Sequence, residues 1–208
     1  MSTSKHRKRR YHHGDLRVAL LRTAGKILEK ERLEALTLRT LARRTGVSHA
    51  APYRHFRDRE SLLAALAAEG FAMLGKAQRE AAAAAGLRGM GEAYVRFALE
   101  QPQRFRLMFG GEVPIGRHPA LREVATRAFD ALSGALAAHV PEARGARDQS
   151  IAAWALVHGL AQLLLEGRVD ASARGDRSEA QFTSDVLATV RFAAGSASRA
   201  PVGAAPSA

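Results

Sequence analysis

The 208-residue chain contains no cysteine. That absence excludes disulfide scaffolds, thiolate metal sites and cysteine nucleophiles together, and it fits a reducing compartment. Long apolar runs are missing too. The longest, residues 151–165, is interrupted by His158, Gly159 and Gln162 and is too short to span a bilayer. The basic first ten residues lead into Tyr11-His12-His13-Gly14-Asp15 with no apolar stretch behind them, so no signal peptide is expected. Alternating runs of β-branched and aromatic residues are absent, while Ala, Leu, Arg and Glu dominate, which predicts an all-α fold. Metal sites are not expected: His12 and His13 are adjacent, and His118, His139 and His158 lie far apart without a glutamate at zinc spacing. There is no glycine-rich phosphate loop, no His-Glu-x-x-His and no nucleophile elbow, and Gly110-Gly111 is too short for a dinucleotide fingerprint. Neither an enzyme nor a cofactor is expected. These absences together predict a soluble cytoplasmic protein without a membrane partner.

What is present is charge in one place. Hydrophobic residues at 47% and charged residues at 25% give an ordinary globular balance, and the length allows one or two domains with a sizeable core. The net charge is +12, yet residues 1–60 hold 16 basic residues against 6 acids, leaving the other 148 residues at only +2. That is a polyanion-binding head on a nearly neutral body. Charge alone does not choose among DNA, RNA and anionic lipid, and a solvated basic face is the bland alternative.

Helical periodicity organises the rest. Asp15 is placed to cap a first helix with the stripe Leu16, Leu20, Ala24, Ile27 and Leu28. Thr37 opens a short helix over 38–45, stopped by Gly46, and Ser48 caps a third reaching about His55. Asp58 caps a long fourth helix carrying Leu62, Leu63, Leu66, Phe71 and Leu74. Gly86 and the glycines at 89 and 91 break the pattern. Further helices are expected over about 91–100, 102–109, 120–140, 144–167 and 177–194, for about nine in all. The domains read as a basic arm (1–13), a DNA-binding head (14–60), a helical ligand-binding and dimerisation domain (61–195) and a tail (196–208) too poor in apolar residues to pack.

Residues 37–56 carry the function. Leu38 and Leu41 give one apolar face, Ala42 is small enough for close approach, Gly46 takes a positive φ, and Val47 returns to the core. His49, Ala50, Tyr53 and Arg54 then face outward, where a major groove would read them. A helical hairpin that binds nothing has the same spacing, but lacks the basic flanks.

These residues, with Tyr11 to Leu16, Leu36-Thr37-Leu38-Arg39, the segment from Leu41 to Ser48 and the segment from Tyr53 to Leu62, make the chain resemble the tetracycline-repressor (TetR) family of bacterial transcription regulators. The segment Ala153-Trp154-Ala155-Leu156-Val157-His158-Gly159-Leu160 resembles a branch with a Trp-His-Gly-type C-terminal domain. One departure is Pro52, where the family usually has an apolar aliphatic residue. The resemblance implies phosphate contacts from Thr37, Arg39, Thr40, Ser48, Tyr53 and His55, with Arg59 at the start of the fourth helix as a further cation. His49, Ala50 and Ala51 would face base edges, the alanines suiting thymine methyls, with Arg54 beside them. The basic residues 5–10 would follow the backbone or the minor groove.

The body suggests assembly and a ligand. The helix from Ile151 is apolar nearly all round and needs covering on both sides. Ile151, Gly159, Leu160 and Leu163, with Phe182, Val186 and Val190 of the last helix, are the expected homodimer interface. Tyr94, Phe97, Arg104, Phe105, Met108, Phe109, Trp154, His158 and Gln162 have the composition of a small-molecule pocket, although such stripes are more often core. The expected function is a dimeric regulator of double-stranded operator DNA, most simply a repressor released by a small-molecule inducer. The rival is a non-specific, nucleoid-type dimer without an inducer.

Overall fold

The computed structural model describes residues 13–139 and 146–190. The N-terminal arm up to residue 12 and the tail at 196–208 lie outside the described residues. Among the described residues there are eight α-helices and no strand. They are α1 (His13–Lys30), α2 (Leu38–Thr45), α3 (Arg59–Glu100), α4 (Pro102–Phe109), α5 (Pro119–His139), α6 (Ala146–Leu165), α7 (Ala171–Arg174) and α8 (Glu179–Thr189). Short 3₁₀ turns sit at Leu33–Ala35, Pro52–Arg54 and Ile115–Arg117. The all-α expectation holds, with two corrections: α1 begins at His13, so Asp15 lies inside it rather than ahead of it as a cap, and the expected third head helix is not an α-helix. The expected break between the fourth and fifth helices falls inside α3, where Ala85 (φ −137°) and Gly86 (φ 59°) leave helical geometry between two helical stretches.

The chain forms two units: residues up to Met73 with Glu100–Ala125, and Leu74–Leu99 with the residues from Thr126 onward. In the first, the α1 stripe Leu20, Ala24, Ile27 and Leu28 is at most 3% exposed, and it shares the core with Leu41, Leu62, Leu66 and Phe105. Besides the buried Phe105, Leu107 and Met108, helix α4 is held in this unit by an ion pair and a cap. Arg104, only 6% exposed, pairs with Glu69 at 3.0 Å and donates to the Leu66 carbonyl. Glu29 on α1 accepts the backbone N–H groups of Gln103 and Arg104 at 3.3 and 2.9 Å, so a carboxylate caps the positive end of α4. A Cβ at residue 25 would collide with the Arg104 guanidinium, so Gly25 is what lets it lie against α1.

In the second unit the core is Met90, Tyr94, Val95, Phe97 and Ala98 of α3, Leu136 of α5, Val157, Leu160 and Ala161 of α6, and Phe182 of α8. The short α7, which the sequence pattern does not announce, is capped by Asp170, which accepts the Ala173 N–H at 2.8 Å.

Candidate nucleic-acid interface

Helix α2 and the segment after it are shaped by local chemistry. Thr37 caps α2: its hydroxyl oxygen accepts the Thr40 N–H at 3.0 Å and its O–H reaches the Thr40 hydroxyl at 3.0 Å. At the other end Gly46 takes φ 74°, ψ 32°, and the Val47 N–H closes back on the Ala42 carbonyl at 3.1 Å. No atom lies within 4 Å of a Cβ added at Gly46, so the backbone angle, not space, calls for glycine there.

After this turn, the sequence predicts an α-helix capped by Ser48. The structure instead has a turn through residues 49–51 and the 3₁₀ segment Pro52–Arg54. Proline has no N–H to give the Ser48 carbonyl, so Ala51 takes that carbonyl at 3.0 Å in an i→i+3 bond. Ser48 makes no side-chain cap there; the residue preceding the 3₁₀ turn is Ala51, without a side-chain cap bond. Phe56, 2% exposed, anchors the segment below, and the Arg17 guanidinium lies 5.5 Å over its ring.

The result presents polar side chains outward. Arg39, Arg43, Ser48, His49, Ala50 and Arg54 are exposed, and Tyr53 is 57% exposed. Arg39, His49 and Tyr53 line a surface concavity of about 280 Å³. Thr40 and Ala51 are half-buried. His55 is also half-buried, and its Nε2 is enclosed without a hydrogen-bond partner. Arg59 turns inward: Nε donates to the Leu36 carbonyl at 2.9 Å and a terminal nitrogen donates to the Leu33 carbonyl at 2.8 Å. Asp58 and Ser61 cap each other at the start of α3, and the Ser61 N–H chiefly holds the Asp58 carboxyl below its usual range.

The residues expected to form a pocket fall into two groups. Arg104, Phe105, Met108 and Phe109 belong to the first unit. Phe105 and Phe109 meet at a tilt of 53° with centroids 4.8 Å apart, and Phe71 meets Phe109 edge-on at 5.3 Å. Tyr94, Phe97, Trp154, His158 and Gln162 belong to the second. The Trp154 indole N–H donates to the Tyr94 hydroxyl oxygen at 3.2 Å, and that hydroxyl stands 2.9 Å from His158 Nδ1. Indole only donates, so the Tyr94 O–H can be given to Nδ1, which suits a neutral imidazole. Burial acts the same way on both partners: it lowers the His158 pKa and raises that of Tyr94.

Of the expected interface residues, Leu160 and Phe182 are buried within their own unit, while Gly159 and Val186 are half-buried. Ile151, Leu163 and Val190 are 46%, 48% and 37% exposed, and Trp154 adds its partly exposed indole on α6.

Comparison with known proteins now bears on this geometry. Residues 20–66 match the family of bacterial regulatory proteins called the tetR family, and residues 87–188 match a tetracyclin repressor-like C-terminal domain. A protein of unknown function from Rhodococcus sp. RHA1 is 33% identical, covering 88% of this chain and 96% of its own, with a TM-score of 0.72. The chain belongs to the TetR family.

Similar in fold are a proposed regulatory protein, SCO4313 (26% identity, 85% and 95% of the two chains, TM-score 0.69), and the TetR-family regulator PfmR from Thermus thermophilus (21%, 78% and 97%, TM-score 0.55). The comparison with curated proteins finds no match. As a TetR-family member the chain is a DNA-binding transcription regulator, not an enzyme, and its helix-turn-helix lies within the matched N-terminal segment. None of its described helices is long and apolar enough to cross a membrane.

Two parts of this TetR-family head escape a sequence reading. Arg44, whose guanidinium meets Glu31 at 2.6 Å, ties α2 to the end of α1, and Glu29 caps α4. Neither has a local signal, since each joins residues distant in sequence. The basic residue Arg59 carries a signal, a cation at a helix start, which is silent on its two carbonyl partners.

Proposed function

We propose that this TetR-family regulator acts in the cytoplasm as a homodimeric repressor that binds a pseudo-palindromic operator and leaves it when a small molecule binds the body. The observation that carries DNA reading is the exposed set Arg39, His49, Tyr53 and Arg54, of which the first three surround one concavity. In this reading Thr40, Ser48, Tyr53 and Arg39 hold phosphates, while His49 and Ala50 meet base edges, with Ala51 behind them. The Thr37 hydroxyl is already engaged with Thr40, so its part is to hold the start of α2, while His55 is half-buried with its Nε2 turned away from solvent.

The exposed apolar side chains Ile151, Leu163 and Val190 supply the reason to dimerise. Two half-sites about 34–36 Å apart then turn two weak contacts into one strong one. For the inducer, the Tyr94–Trp154–His158 cluster offers aromatic surface with a few oriented polar atoms. Release by such a ligand requires differential affinity for the DNA-bound and DNA-free states, typically about 1–3 kcal/mol of coupling. Titration of thermal-shift hits with and without operator tests it. A ligand whose affinity is unchanged by DNA is not the inducer.

A further inference from the structure

We infer that Arg59 is a positioning residue of the DNA-reading head: it fixes where α2 begins, and its role is not that of a phosphate contact. The inference rests on the DNA-regulator reading above. Arg59 opens α3, and its backbone is held by the reciprocal Asp58–Ser61 cap, with Ser61 N–H to Asp58 Oδ1 at 2.8 Å. From that fixed root the guanidinium reaches back 23 and 26 residues to the carbonyls of Leu36 and Leu33. One carbonyl is that of the first residue of the 3₁₀ turn Leu33–Ala35 and the other that of the residue just after it, and a planar fork of donors matches such a pair where an ammonium does not.

The turn needs holding. It is entered through Arg32 at φ 26°, a positive value for a residue that is not glycine, and such a conformation persists only where its surroundings over-determine it. Its exit is Leu36, whose side chain is fully buried, and the next residue is Thr37, the cap of α2. Arg59 therefore clamps together the residue before the helix-turn-helix and the first residue of the helix after it. Between these ends lie Arg39, His49 and Tyr53. Loosening the clamp shifts the start of α2, and with it Arg39, against the segment carrying His49 and Tyr53. Two of the five guanidinium N–H donors are already committed before DNA arrives.

The test compares the wild-type full chain with Arg59→Lys and Arg59→Gln. The probes are a duplex selected by the wild type from a random pool and a scrambled duplex of equal composition, each titrated across a salt series. Positioning predicts that Arg59→Lys, charge intact, loses affinity for the selected duplex about tenfold, as for one lost charge-assisted hydrogen bond. Affinity for the scrambled duplex and the salt slope stay as in wild type, and Arg59→Gln behaves like Arg59→Lys. A phosphate contact predicts the opposite: Arg59→Lys retains affinity, while Arg59→Gln weakens both duplexes and lowers the salt slope by about 0.9. That outcome overturns the inference, as does a loss of melting temperature with discrimination unchanged. Should a variant fail to fold, the wild-type Arg59 Nε–H is followed by NMR. Protection from exchange without DNA supports the clamp, and protection only with DNA overturns it. A wild type that does not discriminate duplexes overturns the regulator reading and this inference with it; discrimination by wild type and Arg59→Lys alike overturns the inference alone.

Discussion

The helix-turn-helix and helix α6 expose opposite kinds of surface. Around α2 the buried residues are Leu38, Leu41, Ala42 and Phe56, and what faces out is Arg39, His49, Tyr53 and Arg54. On α6, Ala153, Val157, Leu160 and Ala161 are buried, and from Ile151 onward what faces out is apolar as well: Ile151, Trp154 and Leu163. Outward donors and cations suit a polyanion, and outward aliphatic side chains suit a second apolar face. In the proposed dimeric regulator, these two surfaces would serve two unlike partners, DNA and a second copy of the chain.

Breaking the apolar side gives the largest expected effect. Leu163→Glu should turn dimers into monomers in sedimentation velocity and weaken binding to a two-half-site duplex by about 10²–10⁴, the range that linked sites gain. Leu163 is nearly half exposed in the single chain, so the unit itself should stay folded. A dimer that survives this change places the interface elsewhere.

The polar side divides into readout and anchoring. His49→Ala should alter the preferred base pair at one position, by about 1–3 kcal/mol of discrimination. Tyr53→Ala should weaken all duplexes alike, by about 1 kcal/mol for a lost hydrogen bond. Competition binding against single-base variants separates the two patterns, and identical patterns would remove the distinction between them.

Smaller effects sharpen the comparison through stability. Gly46→Ala meets no neighbour but must adopt φ 74°, at a cost of about 1–2 kcal/mol. The melting temperature should drop by about 2–4 °C per kcal/mol in a chain of this size, and less for Gly46→Asn. In the second unit, desolvation lowers the His158 pKa, so the folded state binds its proton less readily than the unfolded state. That stability is present above the unfolded value near pH 6.5 and is lost as pH falls through the lower folded value. Wild type should therefore lose more melting temperature between pH 7 and pH 5 than His158→Gln does. Parallel losses would contradict the assignment.

How much of this is legible in the sequence follows from the range of each interaction. The α1 stripe, the Thr37 cap and the Gly46 stop are decided within one or two turns, and their residues announce them. Pro52 is visible as a departure, but its consequence, a 3₁₀ turn in place of an α-helix, depends on which carbonyl the Ala51 N–H finds. The kink at Ala85–Gly86 is legible as a break, because a glycine takes the positive φ found at Gly86 without steric cost. Aromatic composition groups Phe105 and Met108 with Tyr94 and Trp154, yet the first pair packs in the head's unit because Arg104 and Glu29 hold α4 there. The carbonyl partners of Arg59 lie 23 and 26 residues away, beyond any local pattern.

The central claim, a sequence-reading dimer, is tested most directly by one titration at fixed salt. The chain is added to a labelled duplex carrying an inverted repeat it has selected, and to the same bases scrambled. Binding to the repeat should be tighter by about 10³ or more, with two chains per duplex. Equal affinity for both duplexes would contradict it.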